Sequence, residues 1–317
     1  MIMTKEQLPK ELQDPFKDSG FKSIKTAIGA SLHQVENGIN GRRQVYPTKW
    51  SRLNRNLLGG LQPGKMYVIA GRPGVGKSAF SNQLIFDLLD NNKNKKLLVL
   101  YWSFEMPGHQ QIMRAGAKGV NKQVSELLSV EQKLEIDAYE KFKKEVFKYA
   151  HYPIYFNNIP RNMEFVKNAN VEITNKKPDH TIINVFDHSR LILSEKDNEL
   201  QKLNEVSKGC MWLQAKMGTI NILLSQLNRN IEQEHRAKAQ YQPLLTDLFG
   251  GDSIGQDAHV VMMLQRPHDL YGITDLYCGE DPLKLLACHV EKNRDGLLGM
   301  IPYEAEMSTF TINERKK

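Results

Sequence analysis

Cysteine is scarce: the 317 residues hold three, Cys210, Cys278 and Cys288. None forms a CxxC spacing, which excludes a disulfide framework or a cysteine-rich metal site and leaves the thiols as reduced packing residues. No apolar run approaches the roughly 18 residues needed to span a bilayer. The opening MIMTKEQLPKELQDPF lacks the basic-then-apolar pattern of a secretory signal. A cytoplasmic protein with no membrane partner is therefore expected. Nothing recurs at a period of roughly 20 to 50 residues and no segment is of low complexity, so solenoids and tandem arrays drop out. Acidic side chains are the minority, 36 against 43 basic, for a net charge of +7. The surplus sits in residues 21–66, where eight basic side chains face one acidic one, Glu36. That segment reads equally as a solvated face or as a surface for an anionic partner.

With 40% apolar residues the chain buries one substantial core and is neither disordered nor fibrous. Residues 22–39, KSIKTAIGASLHQVENGI, place Ile24, Ala27, Ile28, Leu32, Val35 and Ile39 on one face of a predicted helix. From residue 66 short apolar runs alternate with helical patterns, the sign of βαβ units and a mostly parallel sheet. The predicted strands are 66–70, 96–102, 153–156, 181–186, 220–225, 259–264 and 283–290, followed by a closing hairpin over 300–312. Predicted helices cover about 77–90, 129–150 and 198–217, the second opened by a Ser129/Gln132 capping box. The fold class is α/β.

Directly after the first strand comes GRPGVGKS, residues 71–78, matching GxxxxGK[ST] between a strand and a helix. Gly71, Gly74 and Gly76 let backbone amides approach phosphate oxygens, and the following helix offers its positive end. With Arg72, Pro73, Val75 and Ala79 they form the candidate nucleotide cradle. Lys77 reaches the outer phosphates, and Ser78 supplies a hydroxyl to Mg²⁺. A carboxylate after an apolar strand is common in any α/β protein, but behind a phosphate loop Asp187, at the end of TIINVFD, is the leading candidate for the companion carboxylate. Glu105, in SFEMP, is the candidate for orienting the attacking water; otherwise it is a surface-loop carboxylate. Its strand is expected beside the phosphate-loop strand if the sheet is ordered as in RecA-like ATPases. Gln226 ends INILLSQ, as a sensor of the γ-phosphate or as a strand-end amide satisfying the backbone.

Taken in order, GRPGVGKS, SFEM, the strand ending in Asp187, SQLNR (225–229), TDLFGGDSIGQDAHVVMML (246–264) and KNRDGLLG (292–299) resemble the successive motifs of DnaB-type replicative helicases. The upstream YPTKWSRLNRNLLGGLQPGKMYVIAG resembles that family's entry into its RecA-like domain, so the likeness covers about residues 45–312. The resemblance implies a RecA-like P-loop NTPase over 45–317, preceded at 1–44 by a lead and a linker helix that docks on the next subunit. It implies an ATP- and Mg²⁺-dependent ring, hexameric as is the family's rule, that moves 5′ to 3′ on single-stranded DNA. Glu105 then corresponds to the catalytic base, Asp187 to the Walker B acid, Gln226 to the coupling sensor, and Lys292 and Arg294 to the pair that enters a neighbour's site. Without the family, Lys292 and Arg294 read as a charged turn. Candidate DNA contacts are Arg229, Phe249, Gly250 and Gly251; primase, loader or polymerase are the implied partners.

The chain departs from the family in places. The channel loop usually reads RESGSIEQDAD, whereas Phe249, Gly250, Gly251 and Asp252 precede SIGQDAH here. Phe249 replaces a basic residue, although glycine amides still suit a phosphate and a phenyl ring a base. After Asp187 the family usually has Tyr; here His188 and Arg190 follow in DHSRL, His188 reading first as a satisfied strand-end histidine and otherwise as a γ-phosphate- or DNA-facing group. The residues before the resemblance are too few for the family's primase-binding domain, which suggests a minimal motor from a phage or small replicon. Two alternatives stand beside the helicase: a RecA-like ATPase that coats DNA or remodels a partner without unwinding, and a loading module with a vestigial ATPase.

Overall fold

The computed structural model describes residues 21–189, 192–196 and 198–316; the lead and Arg190 lie outside them. The described residues fall into two units, one ending at Val45 and one beginning at Tyr46. In the first, α1 (Ile24–Ile39) starts at Ser23, whose hydroxyl accepts the Thr26 amide at 3.2 Å. Its stripe of Ile24, Ile28, Leu32, Val35 and Ile39 is exposed.

The second unit begins with α2 (Ser51–Asn56), β1 (Met66–Gly71) and α3 (Lys77–Asn91). There follow β2 (Leu97–Ser103), α4 (Gly108–Gly119), α5 (Val124–Leu128), α6 (Ile136–Phe147), β3 (Ile154–Asn157), α7 (Met163–Lys176) and β4 (Thr181–Asp187). Next come α8 (Glu199–Met217), β5 (Ile220–Gln226), α9 (Gly251–Asp257), β6 (Val260–Gln265), α10 (Pro267–Tyr271), β7 (Leu285–Asn293), β8 (Gly299–Glu306) and β9 (Thr311–Glu314).

These strands form a nine-stranded sheet in the order β3-β2-β4-β5-β1-β6-β7-β8-β9. The pairs from β3 through β6 are parallel and the remainder antiparallel. β1 is central and buried throughout, so its residues alternate between two apolar layers. Tyr67 and Ile69 face Phe80, Leu84 and Leu88 of α3, while Met66, Val68 and Ala70 share the other layer with Val166 of α7 and Leu203 and Val206 of α8. Midway along β4, Asn184 is fully buried. Its amide donates to Asn170 Oδ1 (2.9 Å) and Asn221 Oδ1 (3.0 Å), and its carbonyl oxygen accepts from Trp102 Nε1 at 3.0 Å.

Two expectations are corrected. The helix expected over 129–150 starts only at Ile136; the Ser129 hydroxyl does accept the Gln132 amide at 2.9 Å, but that bond closes an isolated turn. The capping box sits earlier, at Gln123 and Glu126 of α5. The strand before Glu105 does not adjoin the phosphate-loop strand either: β5 and β6 flank β1, and β4 separates β2 from β5. Among the longer helices, α4 and α7 have no counterpart in the predicted elements.

Candidate functional site

The carboxyl ends of β1, β5, β4 and β2 meet at one edge of the sheet, where open α/β sheets place their ligands. After Gly71 the chain reverses through Gly74 (φ +78°) and Gly76 (φ +104°), and Gly76 caps α3 in the left-handed region. Space is short beneath the loop. A Cβ on Gly71 would lie 2.6 Å from Val75 Cγ1 and 3.1 Å from the Leu264 carbonyl oxygen; one on Gly76 would lie 2.6 Å from Met307 Cε. Val75 and Ala79 are buried and anchor the loop, whereas Pro73 and Gly74 are exposed. The fifteen-residue α3 aims its amino terminus, and so its positive end, into the loop. Lys77 Nζ donates to the Gly71 carbonyl (3.0 Å) and the Arg72 carbonyl (3.2 Å). Burial lowers its ammonium to a pKa of about 8, against the pull of Glu105 and Asp187.

Asp187 closes β4 and is 1% exposed. Burial raises its carboxyl to about 6; the Ser78 hydroxyl, which donates to it, and Lys77 oppose the shift, and Glu105 reinforces it. Its Oδ2 is buried with no hydrogen-bond partner among the described residues. A hydroxyl beside a carboxylate oxygen left unsatisfied suits Mg²⁺, which takes one or two protein oxygens and completes its shell with water and phosphate. The Asp187 carbonyl accepts the amides of Phe104 (3.0 Å) and Glu105 (3.3 Å), so β4 holds the Glu105 loop although two strands lie between it and β1. The Glu105 side chain is 60% exposed, with Oε2 3.7 Å from His188 Nε2.

Gln226 is the direct partner of Gly71 in the β1/β5 register. Its carbonyl accepts the Phe249 amide at 2.9 Å, and two residues on the Asn228 amide reaches the Asp247 carbonyl at 2.7 Å. The end of β5 thus touches the phosphate loop on one side and residues 247–249 on the other. Phe249 is half-buried against the α8-side core, Gly250 (φ +69°) caps α9, and Arg229 is exposed at the start of a single 3₁₀ turn.

Lys292 and Arg294 are not brought to this edge. Lys292 pairs with Val261, itself opposite Val68 of β1, while Gly71 pairs with Leu264. Three strand residues separate these levels, about 10 Å at the usual rise per residue. Both side chains instead bind the carboxyl end of α9: Lys292 Nζ donates to the carbonyls of Gly255 and Gln256 (2.7 Å each), and Arg294 donates to that of Gln256 at 2.8 Å.

The sequence reading missed Glu232, Arg266 and Arg114. Arg72, itself in the predicted cradle, donates from Nε to Glu232 Oε1 at 2.6 Å and from Nη1 to the Leu227 carbonyl at 3.0 Å. Arg266, just beyond β6, donates to the Gly74 carbonyl at 3.2 Å. Arg114 on α4 is partly buried, which lowers its pKa, a shift that Asp187 and Glu105 oppose, and its guanidinium lies over the Phe310 ring, 4.6 Å from the centroid. Only Arg114 carried a signal, lying on one short stretch with Glu105.

The DnaB-like helicase C terminal domain model matches residues 46–312. The chain is 26% identical over 310 residues to the replicative DNA helicase DnaB of Geobacillus stearothermophilus, covering 95% of this chain and 64% of that protein. It is 24% identical to the replicative DNA helicase DnaC of Bacillus subtilis (strain 168), covering 100% and 67% respectively. The chain thus spans about two thirds of the length of these relatives. Among solved structures, an isolated ATPase domain superposes with a TM-score of 0.80 at 19% identity, over 93% of this chain and 99% of that one. A DnaB-like replicative helicase, described with its interactions with primase, superposes at 0.79 and 19% identity over 93% and 68%. These likenesses establish the RecA-like fold of the helicase ATPase domain. With a match over most of its length, the chain belongs to the family of DnaB-like helicase C-terminal domains.

Proposed function

We propose that this chain is the ATP-hydrolysing motor of a replicative DNA helicase, assembling as a ring and translocating on single-stranded DNA with the family's 5′ to 3′ polarity. The observation that carries the reading is the meeting of Lys77, Ser78, Asp187, Glu105 and Gln226 at one sheet edge in a chain of this family. Lys77 leaves the two carbonyls that hold it and meets the outer phosphates, while loop amides take the remaining oxygens. Ser78 and Asp187 hold Mg²⁺, whose charge when bound offsets that of the phosphates. Glu105 accepts a proton from the attacking water. Gln226 hydrogen-bonds the γ-phosphate and relays its presence through the bond between its carbonyl and the Phe249 amide.

In this reading Lys292 and Arg294 serve the site of an adjacent subunit, which accords with their distance from their own loop. The exposed stripe of α1 docks on that neighbour. Arg229 and the amides of Gly250 and Gly251 contact the DNA backbone, and Phe249 lies against a base, giving sequence-independent, salt-sensitive binding. Primase, a loader and a polymerase are the proposed partners. The test is ATP hydrolysis with and without single-stranded DNA, together with strand displacement on a forked duplex, for wild type and Lys77→Ala. DNA-stimulated hydrolysis and unwinding, both lost in the variant, support the motor; stimulation without unwinding moves the assignment to an ATPase that coats DNA or remodels a partner.

A further inference from the structure

The second residue of the phosphate loop turns its side chain away from the cradle. Arg72 binds Glu232 at 2.6 Å and the Leu227 carbonyl at 3.0 Å, and its own carbonyl is one of the two that hold Lys77. Glu232 closes the 3₁₀ turn Arg229–Glu232, which leads into a second, Glu234–Ala239. The far end of this segment is pinned separately. Arg236 forms a buried two-pronged ion pair with Asp247 at 3.0 Å, and Tyr241 stacks on Tyr271 at 4.9 Å. The near end is anchored in the core by Ile231, which is 1% exposed, and is joined to the phosphate loop by an ion pair whose Arg72 and Glu232 side chains are 16% and 44% exposed. Such a pair contributes little to stability and exchanges easily. An incoming polyphosphate competes for the Arg72 guanidinium, and drawing Lys77 off the Arg72 carbonyl loosens the same residue from its other side.

We propose that Arg72 is a positioning residue that exchanges between Glu232 and bound phosphate, so that nucleotide occupancy sets the placement of residues 229–239. This rests on residues 71–79 being a nucleotide site, but not on DNA being the partner. The test uses the full chain and Glu232→Gln, with Glu232→Asp as the conservative control. Trypsin cleavage at Lys238 is followed with and without a non-hydrolysable ATP analogue, whose affinity is measured in parallel with a fluorescent nucleotide. In wild type the analogue is expected to change the cleavage rate about fivefold or more. Glu232→Gln should bind the analogue within about twofold of wild type yet lose that response, and Glu232→Asp should keep it. A wild type that binds the analogue without a change in cleavage, or a Gln variant that responds as wild type does, overturns the proposal. If the response is present and lost as expected while single-stranded DNA leaves hydrolysis unchanged, the Arg72 exchange stands and the DNA motor falls.

Discussion

The Asp187 carbonyl accepts the Glu105 amide at 3.3 Å, tying the proposed water-orienting carboxylate to the strand that ends in the proposed metal-binding one. β2 and β4 are neighbours in register, Ser103 opposite Asp187, so the two acids leave adjacent strands at nearly the same level. Their environments differ: Asp187 is 1% exposed and the Glu105 side chain 60%.

Glu105→Gln should leave nucleotide affinity near the wild-type value, because the side chain reaches solvent rather than the loop. Turnover should fall about 10²- to 10⁴-fold, the usual contribution of a general base. Affinity from a fluorescent nucleotide and turnover from phosphate release check the two halves separately.

Asp187 ties metal affinity and stability to pH. Its folded carboxyl holds the proton more tightly than an unfolded one, so the stability it contributes is full below about 3.8 and is lost as pH rises through about 6. In metal-free buffer Asp187→Asn should therefore be more stable than wild type at about pH 8, by at most about 3 kcal/mol, and unfold at a higher temperature, and the gap should close below about pH 4. Millimolar Mg²⁺ should stabilise wild type and not the variant. Thermal unfolding across pH, with and without Mg²⁺, measures both.

If Arg294 serves an adjacent subunit, Lys77→Ala and Arg294→Ala should each be inactive alone and regain turnover when mixed. Some interfaces then combine an intact loop with an intact Arg294. Arg294→Ala alone should lose roughly 10³-fold or more in turnover while still binding nucleotide. No recovery on mixing, in preparations shown to co-assemble, would place Arg294 outside the neighbour's site.

Gly71→Ala tests the floor of the loop. Its Cβ would press on Val75 Cγ1 at 2.6 Å and on a main-chain oxygen at 3.1 Å. Overpacking of this kind costs about 1–3 kcal/mol. Thermal unfolding should register that loss, and nucleotide affinity should fall with it as Val75 is displaced.

The parallel strands were legible because burial on both faces writes them as nearly continuous apolar runs, as in MYVIA and, interrupted by Asn221, INILL. The loop was legible because its glycines and Lys77 lie within eight consecutive residues. α4 escaped notice behind PGHQQIMRAGAKG, whose glycines and polar residues mask the period, and α7 behind a run rich in Asn and Lys. Strand order was hidden for another reason. Nothing local in KLLVLYW states that two strands will lie between it and MYVIA. The Arg72–Glu232 pair spans 160 positions, a contact created by the sheet and written nowhere in the local pattern.

Asn184 stands three residues before Asp187, and its bonds to Asn170, Asn221 and Trp102 form in a single register of β4. A slip by one residue would turn the amide toward the aliphatic layer of Ile183 and Val185 and leave its partners unpaired, a costly outcome in a dry interior. It would also shift Asp187 by about 3.3 Å and reverse its face. The amide cluster therefore works as a gauge block for the sheet edge: a polar fit deep in the core fixes the height of a carboxylate at the rim. A purely aliphatic interior would hold β4 as firmly without specifying where it stops.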